Sequence, residues 1–81
     1  MELKDTIELM NSPDYKERFQ AEYKQLVIRL LKLGNMIEKW SNGELDFTPT
    51  CPYETLKAQH DAMLKYKLCL EIRAELEGIK L

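Results

Sequence analysis

The chain has 81 residues, 44% of them hydrophobic and 32% charged, with a formal net charge of −2. That length fits one domain with a marginal core of its own, and that balance suits a folded soluble protein, not a disordered one. Net negative charge argues against bulk duplex DNA as a partner, and the longest apolar run, Leu26-Val27-Ile28, is far too short to span a bilayer.

Residues 2–11 read as a short amphipathic helix. Leu3, Ile7 and Met10 share one face, with Glu2, Lys4, Asp5 and Glu8 around it. Met1 leads into Glu2, Lys4 and Asp5 with no apolar stretch, so no signal peptide is expected and the chain should work in the cytosol. Ser12-Pro13-Asp14 is a start signal: Ser12 can cap, Pro13 suits the first helical position, and Asp14 favours the positive end of the helix dipole.

The helix that follows, residues 13–41, carries an unbroken heptad seam. Phe19, Tyr23, Leu26, Leu30, Leu33, Ile37 and Trp40 alternate spacings of four and three, which demands a partner helix along the whole stripe. The same helix is apolar on its back. Ile28 and Leu31 lie opposite the seam and Val27 flanks it, so these three are the expected interface with another copy. Gly34 sits mid-helix at a cost of roughly 1 kcal/mol against alanine. Its missing side chain makes either a notch for helix packing or a point where a ligand approaches the backbone.

Ser41-Asn42-Gly43 ends the helix, with Asn42 or Gly43 free to take the left-handed cap. Residues 42–51 form a loop containing Pro49, from which Phe47 should tuck back onto the helices. Pro52 opens a second long helix, residues 52–77, and Gly78 can close it. One of its faces holds Ala62, Tyr66, Cys69, Ile72 and Leu76; another holds Leu56, Met63, Leu70 and Ala74. Both long helices therefore have two faces to bury. The short loop between them makes an antiparallel pair, with the N-terminal helix over one end. The whole is a single all-α domain, 1–81, that assembles into a helical homo-oligomer.

No catalytic constellation is present. There is one histidine, His60; Cys51 and Cys69 are the only cysteines and should be free thiols; the three glycines are isolated at 34, 43 and 78. Metal binding, cofactor chemistry and phosphate-loop chemistry all lack their residues. What remains is binding by aromatic rings paired with cations. Residues 15–40 hold six basic side chains against three acidic ones. Within them Tyr15 and Arg18 share a face, and Tyr23, Arg29 and Lys32 lie further along; Tyr66 and Arg73 are two turns apart on the second helix. A ring can stack on a nucleotide base and an arginine can grip a phosphate. Tyr23 and Tyr66 could equally be core residues with satisfied hydroxyls.

Two stretches sharpen this. The second helix reads Leu56-Lys57-Ala58-Gln59-His60-Asp61-Ala62-Met63-Leu64-Lys65-Tyr66, then Leu70 and Arg73. The first reads Glu22-Tyr23-x-x-Leu26-x-x-Arg29-x-x-Lys32-Leu33, then Ile37. Over about residues 13–77 the chain resembles the small phage proteins grouped as crAss-phage-related proteins. That family includes the anti-CBASS cyclic-oligonucleotide sponge, and the Thoeris anti-defence sponge shares its architecture. His60 stands where the family has an apolar residue, and the Cys51-Pro52 loop replaces an acidic one; both leave ligand preference open.

The resemblance implies a non-catalytic helical hexamer in the host bacterial cytosol that sequesters cyclic nucleotide immune signals between subunits. Cyclic dinucleotides would stack on Tyr15 or Tyr23 and meet Arg29 or Lys32. Cyclic trinucleotides would meet Arg73, and cyclic ADP-ribose isomers are a further ligand class. The alternative is a helical module that docks on a host protein through the same two-faced helices.

Overall fold

The computed structural model describes residues 1–81. A 3-10 turn, Leu3–Thr6, runs into one helical turn, α1, Ile7–Met10; two long helices follow, α2, Tyr15–Ser41, and α3, Tyr53–Glu77. α2 and α3 form an antiparallel hairpin, and the N-terminal turns pack only against α2. No helix is long and apolar enough to cross a membrane.

The seam explains the hairpin. Phe19, Leu26, Leu30 and Ile37 are buried along α2, and Leu70 and Ala74 are buried on α3. Phe19, Leu26, Leu70, Ala74 and Ile79 form one cluster, with Tyr23 and Met63 against its edge. Gly78 stops α3 in the left-handed conformation at φ 69°. That turn sends Ile79 back over the cluster, its N–H donating to the Ala74 carbonyl at 2.8 Å. At the other end Gly43, φ 71°, takes the left-handed position after Asn42. At the hairpin loop the Trp40 and Tyr53 rings meet edge to face, 5.3 Å between centroids.

Gly34 is a packing notch. A Cβ there would stand 3.2 Å from His60 Nε2, so the imidazole occupies the space that glycine leaves open. The ring is half-buried between the helices, and its Nδ1 is buried without a hydrogen-bond partner.

The details depart from the sequence reading at four places. α2 begins at Tyr15, not at residue 13: Asp14 is the cap and its carboxylate accepts from Lys16 N–H at 2.9 Å. Ser12 instead accepts from Asp14 N–H at 3.1 Å, one step before the helix, because Pro13 lies outside it. Pro52 likewise precedes α3 as its cap residue, with extended backbone. In the N-terminal segment Ile7 and Met10 are exposed, and the buried residue is Thr6. Its hydroxyl donates to the Leu3 carbonyl at 2.7 Å and accepts from Gln25 Nε2 at 2.8 Å, which satisfies the group and ties the segment to α2. Phe47 is exposed; Leu45, Pro49 and Cys51 are the half-buried residues of the loop.

One hairpin cannot enclose much. Its radius of gyration is 15.0 Å, where a compact domain of this length has about 12 Å. Only nine of 81 residues are buried. Leu70 is the best enclosed large side chain at 1% exposure. Leu70→Ala should therefore cost about 2–5 kcal/mol, read as a lower urea midpoint at unchanged slope; a loss below 0.5 kcal/mol would mean the cluster does not hold the hairpin.

Candidate functional site

The sequence-nominated side chains fall into two groups along α2. Tyr15, Arg18 and Tyr23 stand at its N-terminal end, and Arg73 comes to the same end from α3, where its guanidinium lies 5.0 Å over the Phe19 ring. Arg29 and Lys32 stand near the middle. Tyr15 and Arg29 are separated by about 21 Å along the axis at 1.5 Å per residue. A single chain therefore does not gather them round one small ligand.

Each has a distinct environment. Tyr15 is the first residue of α2, with its ring half in solvent. Arg18 reaches back to donate from Nη1 to the Ser12 carbonyl at 2.7 Å, which holds the segment before the helix. Arg29 and Lys32 are exposed and make no ion pair within the chain. Arg73 donates from Nε to Glu77 Oε2 at 3.1 Å, leaving the rest of its guanidinium free for an anion.

Tyr23 packs its ring against the core cluster and donates its hydroxyl to Glu71 Oε2. The same oxygen is 3.0 Å from Lys67 Nζ. This network shifts all three groups. The Tyr23 hydrogen bond, then that of Lys67, hold the Glu71 carboxyl below its ordinary range. Its bond to Glu71, and then burial, raise the Tyr23 hydroxyl. The Glu71 hydrogen bond raises the Lys67 ammonium. Tyr66 differs from Tyr23: its ring is exposed on α3. Tyr23 meets Glu71 across the hairpin and Gly34 meets His60, so the register brings Arg29 level with Lys65 and Tyr66.

The largest cleft, about 450 Å³, lies toward the hairpin loop and takes in one nominated side chain, Lys32. Lys32 and Lys39 line one wall of it on α2, with Asn35 and Met36 between them, and the loop residues Glu44 to Phe47 form the other wall. Its polar groups are balanced in sign, and Phe47 presents an open ring. The sequence signal was present, since Lys39 follows Lys32 by seven residues and so shares its face. The fold of the loop was not legible.

On the back of α2, Val27, Ile28 and Leu31 with Tyr23, Lys24 and Met1 line a shallow cleft of about 260 Å³. Val27 and Ile28 are half-buried there, while Leu31 remains 62% exposed.

The Tyr23–Glu71 bond has a pH signature. A carboxyl held low in the folded state adds stability above its unfolded value and loses it as pH falls through the folded one. Tyr23→Phe should move the Glu71 titration up toward the ordinary glutamate range, followed by NMR. The stability difference between wild type and variant should shrink as pH falls below the ordinary glutamate range and the carboxyl takes up its proton. A Glu71 titration indifferent to the hydroxyl would contradict the network.

The family model for Sequestin matches residues 13–76, which takes in α2, the loop and almost all of α3. No curated protein matches the chain, and no solved structure does. The matched region is the hairpin that carries every nominated side chain, and the chain belongs to the Sequestin family, a family named for sequestration.

Proposed function

We propose that this protein is a phage anti-defence sponge: it binds cyclic nucleotide immune signals between copies of itself in the host cytosol and withholds them without cleaving them. Membership of the Sequestin family carries the reading. The side chains fit the same task. Binding by capture needs stacking surfaces and accessible cations, not an acid–base pair, and Tyr15, Arg29, Lys32 and Arg73 offer those groups at the surface. Because the tyrosine and the central cations of one chain are far apart, a dinucleotide joins Tyr15 of one copy to Arg29 or Lys32 of another. Arg73, held in place by Glu77 and the Phe19 ring, takes the phosphates of cyclic trinucleotides. A hexamer is the assembly that the resemblance supplies for such sites.

Calorimetric titration with cyclic di- and trinucleotides and cyclic ADP-ribose isomers tests this. Tyr15→Ala should weaken dinucleotide binding about tenfold or more, the loss of one stacked base. Arg73→Ala should abolish trinucleotide binding while the assembly stays intact. A silent panel would retire the sponge and leave the helical module that docks on a host protein, for which the exposed α3 residues would be the surface.

A further inference from the structure

The cleft at the hairpin loop is complete within one chain. Gly43, in the left-handed conformation, turns the chain back over the end of α2. Its N–H donates to the Trp40 carbonyl at 3.1 Å, and the Glu44 N–H donates to the Lys39 carbonyl at 2.8 Å. This double closure holds Glu44 against the last turn of the helix. An apolar contact frequently accompanies such a closure at these two positions; here they are a lysine and a glutamate. Leu45 and Pro49, both half-buried, anchor the loop beyond. The backbone of both walls is therefore set before anything enters.

The charges of the cleft face one another without meeting. Lys32 and Lys39 on the helix wall and Glu44 and Asp46 on the loop wall line the same space. None of the four makes an ion pair in the chain. The volume, about 450 Å³, lies within the roughly 300–1,000 Å³ of small-molecule sites. Asn35, between the lysines, offers both a donor and an acceptor. Phe47, next to Asp46 in the chain and 55% exposed, offers the ring face that an ammonium group favours. Glu38 adds a third carboxylate at the neighbouring cleft, which shares Lys39 and Glu44. A polyanion entering here meets carboxylates as well as lysines, and a simple cation meets lysines as well as carboxylates. One charge of each sign on the same molecule satisfies both walls.

We propose that this cleft is a separate ligand site that takes a small zwitterion of the amino-acid or short-peptide class. Its ammonium group sits among Glu44, Asp46 and the Phe47 ring, and its carboxylate at Lys32 and Lys39. The chain between them lies on Met36 and Leu45. The site goes beyond the capture of cyclic nucleotides, needs no second copy, and shares with that reading only Lys32.

NMR titration of the protein with 6-aminohexanoate tests it, beside hexanoate and hexylammonium, which keep the chain and lose one charge each. Saturable shifts at the amides of Lys39 and of Glu44 to Phe47 are expected with the zwitterion. Each control should bind about threefold more weakly, the loss of one exposed ion pair. Amides indifferent to the zwitterion, or equal binding of either control, would overturn the proposal. Glu44→Gln with Asp46→Asn should bring the zwitterion down to the affinity of hexanoate, and Lys39→Gln should also weaken it. Unchanged affinity in either variant would overturn the site. Zwitterion binding beside a silent nucleotide titration would retire the sponge alone, and the reverse pattern would retire this site alone.

Discussion

The constraint on which everything else depends is that each long helix has two apolar faces and the hairpin covers one. The heptad seam of α2 meets the Leu70–Ala74 face of α3, and that contact accounts for most of the buried side chains. A second face on each helix is then left over. It is a direct result of chain length, because a hairpin of 81 residues has no third layer to lay over its outer surfaces. The N-terminal turns cover part of α2 and are tied down by the buried Thr6 hydroxyl. They leave Leu31 and the outer side of α3 open.

Periodicity made most of this legible. The four-three alternation from Phe19 to Trp40 identified the α2 seam, and the two faces of α3 divide in the structure as they do in the sequence: Leu70 and Ala74 are buried, Cys69, Ile72 and Leu76 are exposed. Gly78 was legible as a stop because only a residue without Cβ takes its φ cheaply. The helix starts were less so. Ser12, Pro13 and Asp14 are all good starting residues, and the choice of Asp14 as cap depends on where the chain enters from the N-terminal turns. Thr6 was missed because a polar residue in an amphipathic segment reads as solvent-facing until its partner, Gln25, is known.

The candidate site was legible as residue types and not as a place. Aromatic and basic side chains could be counted along α2, but their grouping depends on axial distance and on partners from α3. Tyr23 shows why: its ring and hydroxyl are both engaged within the chain, by the core cluster and by Glu71, which no spacing rule announces. Tyr15, Arg29, Lys32 and Arg73 keep free surface, yet one chain leaves them dispersed. A protein that withholds a small anion needs its cations close together and partly dehydrated; in the proposed assembly a second copy would supply both, and the same step would complete the core and the site.

That link is tested most directly by native mass spectra of the protein with and without a mixture of cyclic oligonucleotides. The account predicts an oligomer that gains discrete ligand masses in a fixed ratio to its subunits. A monomer, or ligand carried by isolated chains, would contradict it.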